Sequence, residues 1–203
     1  MGLDMYIEKF PRFGNFTPNE LCLADDYVCW KKSLEQNPNT ACSTFELFIG
    51  KPVSLPESTL QALQLLVKTT FPLWDTDHLY PMESISETVG YWRKANQIHK
   101  WFVDTVQGGE DDCCFHEEVS KQLIELLLSN CKTIRDNCKL VNGIMEHQEI
   151  AEELLPSAEG FFFGDTSYDE YYLDDINHTI DTLEKILSTT DFDKEMLFYV
   201  SSW

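Results

Sequence analysis

Two runs of apolar side chains recur at the spacing of an α-helix, and they restrict the fold more than any other feature of this chain. Leu123, Leu127, Cys131, Ile134, Cys138 and Val141 form one stripe; Tyr172, Ile176, Ile180, Leu183 and Leu187 form another. A stripe of that period leaves one apolar face on each helix, and each face must pack against a neighbour. The expected helices run roughly over residues 118–140 and from about residue 167 onward.

Other segments carry start signals. Thr17-Pro18-Asn19-Glu20 combines a capping-box pattern with proline at the first helical position. That predicts a helix to about residue 35, ahead of Asn37-Pro38. Ser54-Leu55-Pro56-Glu57 offers a second cap, followed by Leu60, Leu63, Leu66 and Val67. Ser84-Ile85-Ser86-Glu87 opens a helix predicted over residues 85–107, up to Gly108-Gly109. A short helix is expected to end at Leu155-Pro156. Residues 45–49 suit a strand or a turn, and 71–82, with Pro72 and Pro81, read as irregular.

Strands are expected at Leu3 to Ile7, at Gly160-Phe161-Phe162-Phe163-Gly164 between its two glycines, and at Met196 to Val200. The predicted fold is therefore mainly α (α+β): about five helices with a small β-sheet from the N-terminal, 160–164 and C-terminal segments. No stretch is long or polar enough to read as a linker, which predicts one domain over 1–203.

Charge narrows the partners. With 35 Asp and Glu against 15 Lys and Arg, the formal charge is -20. Such a field repels nucleic acid and anionic membranes and favours basic partners. Screening over about 8 Å at physiological salt confines the effect to near contact. The start MGLDMYIEKF lacks the pattern of a secretory signal, and no apolar run reaches the ~18 residues of a membrane span. The seven cysteines match no secreted scaffold. Together these predict reduced thiols in a cytoplasm, no membrane contact and no direct nucleic-acid binding.

Three segments could carry function. On a helical wheel for residues 85–107, Val89, Trp92, Ala95, Phe102, Val103 and Val106 share a face. Asn96 and His99 fall in its middle, with Arg93 and Lys100 at its margin. Buried polar groups need partners. The pair is thus either bonded within the core or lines a pocket. In the second case Trp92, Arg93, Asn96, His99 and Lys100 would hold a small anion, a nucleotide or a carboxylate. The second segment, GFFFGDTSYDEYY, crowds Tyr168, Asp169, Glu170 and Tyr171 at a helix start, with Asp174 and Asp175 one turn on. Acids there suit the helix dipole. Tyrosines among acids also suit contact with a basic partner. The third, Asp111-Asp112-Cys113-Cys114-Phe115-His116-Glu117-Glu118, gathers ligand types without zinc spacing. Neither a metal nor a cofactor is expected. No phosphate loop, nucleophile elbow or kinase signature occurs in the sequence.

Three stretches, Met1-Gly2-Leu3-Asp4-Met5-Tyr6, Val89 to Phe102 and Gly160 to Tyr172, give a resemblance to a group of small uncharacterised proteins encoded by phages and prophages. The resemblance carries no catalytic residue across. It implies a phage accessory protein in the host bacterial cytoplasm, with inhibition of a host defence protein as a plausible task. The leading expectation is a non-enzymatic binding protein that meets a host protein's basic surface through an acidic surface imitating nucleic acid. The alternative is a sponge or hydrolase for a small anion or nucleotide, with its pocket on 85–107. Self-association through the tyrosine-rich surface, most simply as a homodimer, is the third reading.

Overall fold

The first strand lies between the second strand and the last, and that pairing organises the region around the candidate site. The computed structural model describes residues 2–12, 16, 18–36, 58–59, 61–62, 65, 86–113, 116–160 and 163–203. By backbone contacts the chain groups into two compact units, Met1–Pro11 with Ser86–Trp203, and Arg12–Ile85.

In the second of these units, one helix, α1, spans Pro18–Gln36, with Pro18 opening it and Glu20 in its first turn. Tyr27 and Trp30, three residues apart, bring their rings to 5.5 Å. Residues 58–59, 61–62 and 65 are also helical. The rest of the helix expected after Ser54, the segment 45–49 and the segment 71–82 lie outside the described residues.

The first unit contains the sheet. Its strands are β1 (Asp4–Pro11), β2 (Glu87–Arg93), β3 (Glu117–Glu118) and β6 (Glu195–Ser202), antiparallel in the order β2-β1-β6-β3. Met5 and Ile7 of β1 are buried while Asp4 and Tyr6 are not, the alternation of a strand with one face on a core. Met5 lies opposite Trp92 on one side and Ser201 on the other. The expected N- and C-terminal strands are thus neighbours in one sheet.

Four helices pack with it: α2 (Asn96–Thr105), α3 (Lys121–Asn137), α4 (Gln148–Leu154) and α5 (Glu170–Thr189). Including α1, five helices are described from end to end, in keeping with the mainly helical α+β fold that the sequence predicts. Ser120 caps α3 by accepting from the Leu123 N–H, and Asp169 caps α5 by accepting from the Tyr171 and Tyr172 N–H groups. The two stripes meet: Leu127, Cys131 and Ile134 of α3 and Ile176, Ile180 and Leu183 of α5 are buried in one core. Each large side chain there contributes about 1.5–3 kcal/mol by leaving water. Among the described residues no helix is long and apolar enough to cross a membrane.

Three expectations need correction. The helix over 85–107 is instead β2, a turn, and α2. Gly90 and Trp92 are buried while Tyr91 and Arg93 are exposed, a period of two. Val89-Gly90-Tyr91-Trp92 is a poor helix and a good partner for β1, and the pairing prevails over the local pattern. The stripe ending at Val141 also breaks early. Asn142 and Gly143, at φ +53° and +78°, turn the chain into a hairpin of β4 (Lys139–Val141) and β5 (Ile144–Glu146). Asn-Gly favours that turn because both residues accept positive φ. Finally, Gly160, Phe163 and Gly164 belong to no strand of the sheet, and the two residues 161–162 of that expected strand lie outside the described residues. The Phe163 N–H bonds Gly160 O at 3.2 Å, and Gly164 follows at φ +93°. A Cβ on Gly160 would run into the Phe163 ring.

Candidate functional site

A strained turn positions the site. β2 ends at Arg93, and Lys94 adopts φ +62°, a left-handed conformation rare for a residue with a side chain. The Lys94 N–H bonds Leu3 O at 2.8 Å, and the Asn96 N–H returns to Lys94 O at 2.9 Å. Ala95 between them, at φ −76° and ψ 74°, forms an inverse γ-turn that directs the chain from β2 into α2.

Two glycines leave room for the lysine stem. A Cβ on Gly2 would sit 3.3 Å from Lys94 Cε, and one on Gly164 would sit 3.2 Å from Lys94 Cβ and 3.3 Å from its carbonyl oxygen. Gly164→Ala therefore combines an unfavourable φ with crowding. Its expected cost is about 1–3 kcal/mol, measured as a lower denaturant midpoint at unchanged slope.

Three polar side chains of α2, Asn96, Gln97 and His99, are each no more than 2% exposed. Asn96 holds a loop: its Nδ2 donates to Phe163 O at 3.3 Å and Asp165 O at 2.7 Å, and its Oδ1 accepts from the Ala158 N–H at 2.9 Å. Gln97 Nε2 donates to Asp175 Oδ2 at 3.1 Å. His99 joins a third set of partners. Its Nε2 lies 3.0 Å from Asp111 Oδ2 and its Nδ1 2.7 Å from Tyr199 Oη. A carboxylate only accepts, so Nε2 carries the proton; Nδ1 then accepts from the Tyr199 O–H. Burial lowers the His99 pKa against the opposing pull of Asp111. Burial also pushes the Tyr199 phenol well above its ordinary value.

In front of this layer lies a cleft of about 510 Å³. Arg93, Lys94 and Gln97 form one part of its lining. Asp165, Ser167 and the N-cap Asp169 form another, and Tyr171, Tyr172, Asp174 and Asp175 of α5 a third. Two cations thus face four carboxylates. Most of these acids have local roles. Asp169 accepts the first N–H groups of α5, and Ser167 holds the Asp165 carboxyl below its usual value through its hydroxyl and N–H. Burial raises the Asp175 pKa, with the Gln97 bond opposing it. Arg93 approaches Asp4 only at 4.0 Å, and Lys94 makes no ion pair among the described residues.

The two sets of residues picked out from the sequence partly converge here. Arg93 from the first set and Asp169, Tyr171, Asp174 and Asp175 from the second line one cleft. Trp92, Asn96 and His99 lie behind it. Trp92 is buried and donates from Nε1 to Thr179 Oγ1 at 2.9 Å, on the opposite face of β2 from Arg93. Lys100 pairs with Asp104 at 2.7 Å, away from the lining. Tyr168 accepts the Ser157 N–H and packs on Tyr172, while Glu170 is exposed beyond the cleft. Lys94, Gln97, Gly164 and Ser167 join the site without having been selected. A period-two reading of Val89 to Arg93 would have placed the turn next to Lys94; its left-handed backbone has no signature in the sequence.

Comparison of the chain with protein-family models, curated proteins and solved structures found no match. What the cleft can do follows from its own groups. Ammonium, guanidinium, carboxylate, amide and phenol groups around one hollow suit the holding of an ionic partner. Among the described residues no three His, Cys, Asp or Glu side chains converge as a metal site.

Proposed function

We propose that this chain is a non-enzymatic binding protein that engages a basic surface of another protein, as a phage accessory protein would to inhibit a host defence protein in the bacterial cytoplasm. The observation that carries this reading is Tyr171. Its side chain is 71% exposed in the first turn of α5, between the N-cap Asp169 and the acids Asp174 and Asp175. An exposed tyrosine among carboxylates offers a rigid aromatic anchor and a counter-charge for lysine or arginine. The net charge of -20 adds attraction of the same sign over the rest of the surface.

Affinity capture from bacterial lysate at physiological salt tests the reading. The expected result is recovery of a basic protein, reduced at least ~10-fold by Tyr171→Ala combined with Asp174→Lys, as loss of a central anchor implies. Equal recovery by both forms, or recovery only of proteins released by modest salt, would refute it.

A second reading is favoured by Arg93 and Lys94, whose position in the cleft suits a small anion or nucleotide. A ligand bound only by the folded state raises the melting temperature. A thermal-shift screen with nucleotides and cyclic nucleotides should then find a ligand whose effect disappears in Arg93→Ala.

A further inference from the structure

A surface built only to meet a basic partner has no use for two cations in its own hollow. Arg93 and Lys94 lie within a cleft otherwise lined by acids, and neither makes a close ion pair with those acids among the described residues. Lys94 is also held in place by its turn at φ +62° and by the space left at Gly2 and Gly164. The opposite lining keeps two carboxylates available. Asp169 and Asp165 serve the α5 cap and Ser167, but Asp174 has no hydrogen bond among the described residues, and Asp175 receives only Gln97. Gln97 lines the cleft at 2% exposure, and its Oε1 makes no hydrogen bond among the described residues. The cleft thus offers sites for an anion, a cation and an N–H donor within one small-ligand-sized volume.

We propose that the cleft receives the C-terminal residue of a partner protein when that residue is arginine or lysine, with its α-carboxylate on Lys94 and Arg93 and its side-chain cation on Asp174 and Asp175. A C-terminal basic residue carries both charges on one unit and enters a hollow end-on, whereas an internal segment must thread through it. The preceding residues would then pass the exposed Tyr171. Capture of a chain terminus by a site that matches its carboxylate is an established mode of peptide recognition. The proposal rests on the reading that the chain binds a basic partner.

Fluorescence anisotropy with a short basic peptide ending in free arginine, its C-terminal amide and unlabelled free arginine tests it. The acid should bind at least ~10-fold more tightly than the amide, a difference of about 1.4 kcal/mol or more. Lys94→Gly, which suits φ +62° and removes only the ammonium stem, should erase that difference. Asp174→Asn should weaken both peptides. Equal binding of acid and amide would overturn the proposal and leave the basic-partner reading intact. Free arginine binding as tightly as the peptide would also overturn it, since the site would then take an amino acid and not a chain end. Binding of neither peptide would overturn it as well, while lysate capture by the wild type and the Tyr171 variant would still decide the broader reading.

Discussion

Asn96→Ala should destabilise the fold by about 3 kcal/mol, although it removes no hydrophobic group. Asn96 is 2% exposed and satisfies three backbone groups of the segment 158–165: the Ala158 N–H, Phe163 O and Asp165 O. Each loses its partner at once; a fully buried polar group left unpaired costs on the order of 1–3 kcal/mol, and these three are part-buried. Water entering part of the space keeps the total near the lower end of the sum. For a chain of this length the loss corresponds to a fall in melting temperature of roughly 6–12 °C. Asn96→Asp is the sharper test. It preserves shape and still accepts from Ala158, but it turns a carboxylate oxygen toward two carbonyl oxygens. It should be at least as damaging as alanine at neutral pH. If Asn96→Asp proved neutral, the clamp would not be holding the loop. Because Gly164 and Asp165 line the cleft, either variant should also weaken partner binding more than its stability loss explains.

His99→Ala is the second large effect, with an expected cost of about 3–5 kcal/mol. It leaves the fully buried Tyr199 O–H and the Asp111 carboxylate without their shared partner, and it opens a cavity beside the Phe163 and Tyr199 rings. The same network sets a pH dependence. Burial lowers the His99 pKa in the folded chain from its ordinary 6.5. Below 6.5 the unfolded chain takes up a proton at this position that the folded chain refuses, so the unfolded state is favoured. Stability from this group is therefore complete above 6.5 and is lost as pH falls from there to the lower folded value. The slope reaches at most about 1.4 kcal/mol per pH unit for one proton. His99→Gln cannot titrate, so its stability curve should be flatter than the wild type's just below 6.5. Urea unfolding of both proteins at steps from pH 7.5 to 5 measures the difference; parallel curves would mean that His99 protonates freely in the fold.

Those two residues show how far the sequence could be read. Asn96 and His99 stand out as polar side chains where apolar ones are expected, and both are buried and hydrogen-bonded within the core, one of the two readings open to them. Their common wheel with Trp92 does not hold. It assumed one helix, and the chain changes from strand to helix at Lys94-Ala95. On a strand, Trp92 and Arg93 point to opposite faces, so the tryptophan enters the core and only the arginine reaches the cleft. Four residues of the second set line one cleft. Asp169, Tyr171, Asp174 and Asp175 belong to a single helix start, where spacing along the chain is also proximity in space.

The local pattern alone determined the elements whose signals lie within a few residues of one another. The stripes of α3 and α5, the opening of α1 at Pro18 and the terminal strands are of this kind. A helix face or a turn needs only neighbours three or four positions away, and the sequence lists those directly. Tertiary pairing decided the rest. Val89 to Arg93 satisfies two periods, and the choice belongs to β1, more than eighty residues earlier in the chain. Ala158, Phe163 and Asp165 are held off the sheet because Asn96 offers side-chain partners for their backbone groups. The cleft is of the same kind: its cations come from the end of β2 and its acids from α5 and the loop before it. No local spacing encodes that meeting, since it depends on which backbone groups find partners when distant segments pack together.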